Sequence, residues 1–418
     1  MKLEVVTIGT ELLLGLTPDT NAAELGRALA EAGVEVVRHL SVSDRPDAIR
    51  AVVAEALART GFVITTGGLG PTRDDMTKRE VAALFDAPLV LDAGVLRSLE
   101  ERFRRLGRAM PAVNRTQAEV PAGATVLPNP RGTAPGLWLE DRSGRVVVML
   151  PGVPSEMRGL LAEEVLPRIA ARGSGGDGRV VRSRTVRTTG IAESALAERV
   201  GALEDDIAPL TLAYLPGLDG VDLRVTAWRL PPAEADQRLG QTVMLLRERA
   251  AEHVYGEDGD DLAATVLEEL RARRARLAVA ESCTGGLLGA RITAVPGSSD
   301  VFAGGVIAYD DDAKRGMLGV PSELLEAHGA VSEEVVLAMM AGVRTTLGVD
   351  AALAITGIAG PSGGTAEKPV GTVWLAATVG TATRSLKRVF PGDRGEIRAR
   401  SAQAALDLLR RLIAADKP

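Results

Sequence analysis

Cysteine and histidine are scarce. The 418 residues hold one Cys, Cys283, and three His, namely His39, His253 and His328. A single thiol excludes a disulfide within the chain and a zinc site built from several cysteines. Aromatic residues make up 3% of the sequence, so its cores must be aliphatic. Interiors rich in Val, Leu, Ala and Ile suit buried parallel strands covered by helices. No apolar run reaches the length of a membrane span. Met1-Lys2-Leu3-Glu4 leads straight into a strand-like run instead of a signal-peptide pattern. A cytoplasmic location is therefore the expectation, with no membrane partner. Positive charge is not in excess either: 49 Lys and Arg stand against 55 Asp and Glu, a formal net charge of −6. A broad nucleic-acid surface needs clustered cations, so nucleic acid is not an expected partner. Small phosphorylated ligands stay open, because a few backbone N–H groups and one or two cations hold them.

The composition that remains is ordinary for a globular protein, and the chain is too long for one hydrophobic core. Residues 1–172 alternate strand-like segments (4–9, 34–42, 62–66, 146–150) with helix-like ones (19–32, 46–60, 154–171). Gly33 stops the first helix and Pro46 opens the second. Such alternation implies an α/β domain with a parallel, doubly wound sheet. Residues 113–139, with several Pro and Gly, read as an inserted β-rich loop region. The run GSGGDG at 173–178 reads as a linker. Residues 179–256 form a small α+β unit: strand 180–189, helix 193–203, strands 210–215 and 221–230, helix 232–253. Residues 257–418 form a third, three-layer α/β unit. Its helices are read at 260–275, 285–294, 332–347 and 393–415, and its strands at 277–280, 301–309, 351–356 and 373–379.

In the third unit the strand LAVA runs directly into Glu281-Ser282-Cys283-Thr284-Gly285-Gly286 and then a helix. A hydroxyl at a sharp strand-to-helix turn is well placed to be a nucleophile. The helix start offers free N–H groups for an oxyanion or a phosphate, and Gly285 and Gly286 let a ligand come close. The same run also fits an N-capping Ser followed by a glycine turn. A nucleophilic Ser needs a base, and no His lies near it in sequence. Tyr309 ends the next strand and Lys314 follows five residues later, so neighbouring strand tips could unite Ser282, Tyr309 and Lys314. A desolvated Lys can serve as a base, though most lysines are solvated surface groups. TGIAGPSGG at 356–364 follows another strand and reads as an anion cradle or a flexible turn. Lys368 precedes the next strand. Asp393 is a natural N-cap for the last helix, and Arg394 could clamp a phosphate bidentately. The expected substrate contacts are Thr284, Gly285, Gly286, Gly357, Ala359, Gly360, Lys368 and Arg394.

These residues resemble a known family. The ordered runs AESCTGG, GVIAY with AK close behind, HGAVSEE, TGIAGP, EKPVGTVW and GDR are similar to the C-terminal domain of the CinA family, which also occurs alone as a nicotinamide mononucleotide (NMN) deamidase. The resemblance covers about residues 257–418. It implies hydrolysis of the NMN carboxamide to nicotinate mononucleotide and ammonia by a Ser/Tyr/Lys apparatus, Ser282, Tyr309 and Lys314, without a cofactor. The family usually has Ser-Asn-Glu where this chain has Asp310-Asp311-Asp312. Added carboxylates would favour the charged form of Lys314, unless they point to solvent and are screened.

In the first unit Gly67-Gly68-Leu69-Gly70-Pro71-Thr72-Arg73-Asp74-Asp75 follows the strand FVITT. With Thr10 and Glu11 at the first strand tip and Asp44 after the second, the loop converges on the sheet edge where doubly wound proteins bind ligands. Thr10, Glu11, Asp44, Gly67, Gly68, Gly70, Asp74 and Asp75 are the expected nucleotide site. Asp74 and Asp75 are a plausible seat for a divalent cation. This half resembles the CinA N-terminal domain, which has the molybdopterin-binding fold. The matching runs include GTELL, DTN, NRTQA, GTAPG and LPGVPSEM. The resemblance implies a metal-dependent ADP-ribose pyrophosphatase giving AMP and ribose 5-phosphate.

The middle unit resembles the family's KH-like domain, and Gly217-Leu218-Asp219-Gly220 formally fits a GxxG loop. Without a basic flank it reads as a hairpin turn. The whole reads as a pyridine-nucleotide recycling enzyme acting on NMN and ADP-ribose, a homodimer by family resemblance. Two other readings remain open here: a non-enzymatic accessory protein of competence or recombination, as the family's name suggests, and a molybdopterin-handling protein by fold alone.

Overall fold

The computed structural model describes residues 1–172 and 179–416. The linker read at 173–178 lies outside the described residues. By its internal contacts the chain divides into two compact units, Met1–Ser183 with Ala227–Gln237 and Arg184–Thr226 with Arg238–Pro418.

The first unit contains β1 (Lys2–Ile8), β2 (Glu35–Val42), β3 (Phe62–Thr66), β4 (Leu89–Leu91), β5 (Glu119–Pro121), β6 (Thr125–Leu127), β7 (Gly136–Glu140) and β8 (Val146–Leu150). Six of them form one sheet in the order β2-β1-β3-β8-β7-β6. β2, β1, β3 and β8 are parallel, whereas β7 and β6 run antiparallel. The doubly wound expectation therefore holds for four strands, and the loop-rich insert supplies an antiparallel edge. β4 and β5 pair as a separate ribbon. Leu3, Val5, Ile64 and Val148 pack on one face with Leu25, Leu29 and Met157. Val6, Val63 and Val147 pack on the other with Ile49, Val53 and Leu57. Two covered faces explain why these strands are almost uniformly apolar. Asp19 caps the helix Thr20–Glu31 by accepting from the Ala22 N–H. Pro46 opens the helix Pro46–Thr60 and Gly61 ends it in the left-handed conformation. The single helix expected at 154–171 is interrupted by a π turn over Leu161–Val165, which keeps both Leu161 and Val165 buried. Two helices, Thr77–Leu84 and Ala93–Arg105, were not foreseen. The second buries only Val95 and Leu99, too narrow a stripe to stand out among its charges.

The middle segment adds β9 (Val180–Thr188), β10 (Leu210–Pro216), β11 (Val221–Leu230) and β12 (Val254–Glu257), in the order β10-β11-β9-β12. β12 is an unforeseen strand that pairs antiparallel with β9. The last segment holds β13 (Leu277–Glu281), β14 (Phe302–Ile307), β15 (Ala351–Gly357), β16 (Thr372–Val379) and β17 (Ala382–Val389), in the order β14-β13-β15-β16-β17. β14, β13 and β15 are parallel; β16 and β17 are antiparallel. Helices Leu262–Ala272, Leu287–Thr293 and Arg394–Ala415 share one core with Val279, Leu353 and Leu375. Helices Asp311–Leu318, Ser322–His328 and Glu333–Leu347 share the opposite core with Ala278, Ala280 and Ala354. This is the three-layer arrangement expected. In the second unit the last helix also meets the middle segment through polar groups. Gln403 donates to the Asp219 carbonyl (2.8 Å), Arg410 to the carbonyls of Glu252 (2.6 Å) and Val254 (3.1 Å), and Arg411 contacts the His253 ring (3.0 Å).

Gly67, directly after β3, has φ +106, and a Cβ there would lie 2.1 Å from the Ile8 carbonyl oxygen. Gly67→Ala should lower the unfolding free energy by at least about 2 kcal/mol. Gly107→Ala, at φ +67 with open space around it, should cost only about 1 kcal/mol. Urea denaturation of both variants measures the difference, which isolates the clash from the backbone strain.

Candidate functional site

β13 ends on Glu281, whose carbonyl accepts the Ala308 N–H (2.8 Å), while the Ser282 N–H donates to the Ile355 carbonyl (3.0 Å). Ser282 therefore sits where the tips of β13, β14 and β15 meet. It is largely buried, and no hydrogen bond engages its hydroxyl among the described residues. The turn beyond it differs from expectation. The Gly285 N–H donates to the Ser282 carbonyl (3.0 Å). The N–H groups of Gly286 (3.0 Å), Leu288 (3.1 Å) and Gly289 (2.8 Å) all donate to the Glu281 carboxylate. The donors expected to face an oxyanion or phosphate at Gly285 and Gly286 are thus satisfied by the chain's own carbonyl and carboxylate. Thr284 is fully buried with its hydroxyl unpartnered. Its carbonyl is held by Arg398 through Nη2 (2.6 Å) and Nε (3.2 Å).

The thiol of Cys283 is pushed up to about 12, chiefly because burial disfavours the thiolate; the Glu281 carboxylate adds to this and Arg398 and Arg394 oppose it. A protonated, buried thiol is a poor nucleophile.

Arg394 donates to the Tyr309 hydroxyl oxygen (2.7 Å) and to the Gly360 carbonyl (2.7 Å). Asp393 caps the helix as expected, in a reciprocal capping box with Glu396. Arg394 therefore bridges two loops in the free protein instead of standing ready as a phosphate fork. Arg398 lies one turn further along the same helix face. Lys314 is fully buried. Its Nζ donates to the carbonyls of Tyr309 (3.2 Å) and Asp310 (3.2 Å) and to Asp311 Oδ1 (3.3 Å). Three ammonium donors meet three acceptors. No hydrogen bond joins Ser282 to Tyr309 or Lys314 among the described residues. The reason is local: Asp310 caps the helix Asp311–Leu318 by accepting from the Ala313 N–H (2.7 Å), which folds Lys314 back over the preceding carbonyls. The acidic run divides its work, with Asp310 capping, Asp311 on Lys314 and Asp312 paired with Arg315. Lys368 donates to the carbonyls of His328 (2.8 Å) and Val331 (2.9 Å) and so braces its loop. A Cβ at Gly357 would meet Val373 at 2.7 Å and one at Gly360 would meet Val370 at 2.6 Å. Packing within the loop accounts for both glycines. Ala359 is buried beside them.

Residues 259–413 match the CinA C-terminal domain, residues 4–171 the "Probable molybdopterin binding domain" and residues 183–256 the Damage-inducible protein CinA KH domain. A CinA-like protein of Gemmatimonas aurantiaca is 56% identical, covering 99% of this chain and 97% of its own. The chain belongs to the CinA family. A CinA-like protein of Gloeobacter violaceus is 44% identical over 98% of this chain and 96% of its own. The competence damage-inducible protein A (ComA) of Klebsiella pneumoniae, a solved structure, is 39% identical over 37% of this chain and 97% of its own, with a TM-score of 0.36.

The second candidate site of this CinA-family chain lies at the tips of β1, β2 and β3. Asp44 Oδ2 accepts both the N–H (2.8 Å) and the hydroxyl (2.9 Å) of Thr10. Thr77 holds the loop after β3, its hydroxyl on the Gly67 carbonyl (2.9 Å) and its N–H on the Gly68 carbonyl (3.2 Å). Asp75 Oδ2 accepts the N–H (2.8 Å) and hydroxyl (2.5 Å) of Thr72. A Cβ at Gly70 would lie 2.4 Å from it. Asp74 is exposed. Glu11 is exposed as well. The expected residues do share one sheet edge. The metal reading fares differently: Asp75 is spent on its own turn, and no three His, Cys, Asp or Glu side chains gather to hold an ion among the described residues. The donor set does not fit a resident cation. Two buried groups went unassigned in the sequence. Asn21 donates to Thr66 Oγ1 (3.0 Å) and the Gly152 carbonyl (2.8 Å), leaving its buried Oδ1 unpartnered. Lys78, pulled down to about 8 by desolvation, donates to the carbonyls of Thr116 (2.7 Å) and Glu119 (3.1 Å).

In the middle segment the residues of the GxxG pattern close a tight turn, with the Gly217 N–H on the Gly220 carbonyl (2.8 Å). Asp219 pairs with Arg291 (3.2 Å) and receives Gln403 on its carbonyl. No helix among the described residues is long and apolar enough to cross a membrane. Because Cys283 is buried and its thiol stays protonated, the native protein should resist iodoacetamide at pH 8 and react stoichiometrically once unfolded. Mass spectrometry of the Cys283 peptide reads this out. Rapid native alkylation would contradict the raised thiol.

Proposed function

We propose that the C-terminal domain hydrolyses the carboxamide of NMN to nicotinate mononucleotide and ammonia, with Ser282 as the nucleophile. The observation that carries this reading is the Ser282 hydroxyl, which no hydrogen bond engages among the described residues, at the meeting of three strand tips, beside a buried thiol that stays protonated. Arg394 and Arg398 brace the loops around Ser282 through Tyr309, Gly360 and Thr284, and a substrate phosphate would have to draw one of them away from those partners. Ser282 Oγ attacks the amide carbon and its proton passes to Lys314, the base implied by the family. To accept it, Lys314 enters the step as the neutral amine, one ammonium proton having left to solvent through the half-exposed Asp311 carboxylate. The C–N bond breaks, and nitrogen leaves as ammonia with the proton returned from Lys314. Water then cleaves the Ser282 ester, which restores the hydroxyl and releases nicotinate mononucleotide. Tyr309, held by Arg394, orients the ring end of the substrate.

A second activity at the N-terminal edge, hydrolysis of ADP-ribose to AMP and ribose 5-phosphate, is favoured by the closed glycine loop at 67–70 beside Thr10 and Asp44. No step is assigned there to a metal, because the donor set makes no cage for one.

Purified protein should release ammonia from NMN without added metal. Ser282→Ala should lower kcat by at least about a thousandfold, and Lys314→Ala by at least about a hundredfold. Both variants at full activity would remove the assignment. For the N-terminal domain, ADP-ribose turnover is measured with and without a divalent cation. Asp75→Ala should impair it by loosening the loop, and unchanged turnover would exclude a role for that loop.

A further inference from the structure

Glu281 has no role in the chemistry above, yet it is as deeply buried as Lys314. It is 1% exposed, ends β13 and directly precedes Ser282. No Lys, Arg or His pairs with it among the described residues. Its compensation comes from three backbone N–H groups, those of Gly286, Leu288 and Gly289, five to eight residues further on. A buried carboxylate costs several kcal/mol unless it is well bonded, so its presence at the end of an otherwise apolar strand calls for a function.

We propose that Glu281 is a positioning residue for Ser282, a reading that rests on the amidase assignment. Its carboxylate draws the backbone of residues 286–289 back over the strand end, while Arg398 holds the same turn from the other side by the Thr284 carbonyl. Residues 282–285 are thereby suspended between an anion that gathers N–H groups and a cation that gathers a carbonyl. With its backbone fixed at both ends, Ser282 has its Cα and Cβ held in one place at the strand tips, which limits where its hydroxyl can reach. Glu281 also closes the N-terminus of the helix Leu287–Thr293 to outside anions, so a substrate phosphate must be sought from the arginine side. Neither Asp nor Gln can replace it. Asp is one methylene short of the Gly289 N–H. Gln offers a single acceptor oxygen and sets its own N–H₂ against backbone donors.

The test compares Glu281→Gln and Glu281→Ala with the wild-type full chain. Glu281→Gln should lower kcat for NMN by roughly ten- to a hundredfold while leaving KM unchanged, because the nucleophile is displaced and the substrate contacts are not. Glu281→Ala should be weaker still and recover part of its kcat in formate, which can occupy the vacated carboxylate position. Amide hydrogen exchange at Gly286, Leu288 and Gly289 should accelerate in both variants. A wild-type kcat in Glu281→Gln, a loss confined to KM, or unchanged exchange would each overturn the proposal. If Glu281→Ala does not fold, Glu281→Gln decides alone. Wild-type protein that releases no ammonia from NMN would sink the amidase reading instead, and the exchange measurement would still decide whether Glu281 holds the turn.

Discussion

Two arginines one turn apart on the last helix, Arg394 and Arg398, reach the loops that follow β13, β14 and β15. Those loops come from three separate stretches of sequence and share little else. Guanidinium groups offering several donors in a fixed plane tie the Ser282 turn, Tyr309 and the Gly360 loop together beyond the ends of the strands that carry them. The capping box of Asp393 and Glu396 fixes where that helix begins, and so fixes the register at which both arginines emerge. The helix then buries Leu406, Leu409 and Ile413 in the sheet core. Packing energy far from the loops thus holds their geometry.

A pattern repeats at both sheet edges. Carboxylates that look like ligands in the sequence are used to close turns. Glu281 gathers three N–H groups, Asp44 binds Thr10, Asp75 binds Thr72, and Asp310 caps a helix. Each bond is short-range and replaces water around a charged group with fixed donors. An edge built this way is rigid before any ligand arrives, which favours reactions that depend on placement.

Much of this was legible in the sequence where local signals agree. The helix Pro46–Thr60 was readable to the residue, because Pro46 and Gly61 bracket it and Phe62–Thr66 follows as an unbroken apolar strand. Ser282, Tyr309 and Arg394 were singled out from expected strand ends and a helix start, and the structure ends β14 at Ile307, two residues before Tyr309. The misses have physical causes. β17 scatters Arg384, Lys387 and Arg388 among isolated Ala382, Leu386 and Val389 on the sheet edge and shows no apolar run. The helix Asp311–Leu318 opens with three acids that read as ligands for Lys314, and only one of them is. Glu281 stood in the quoted motif, but its role depends on amides up to eight residues away, which no local pattern displays. The same holds for Lys314, whose Nζ direction is decided by the helix cap at Asp310.

The last helix meets the middle segment through Gln403 and Arg410 on backbone carbonyls and Arg411 on the His253 ring, and the helix Leu287–Thr293 adds an ion pair, Arg291 with Asp219. Such groups are nearly as well served by water as by each other. A chain cut at this junction would expose these charged and amide groups together with the ring of Tyr255, which shares the core of the last helix. The seam is thus largely polar: the segment that carries the Ser282 turn meets the middle one chiefly through groups that water also serves.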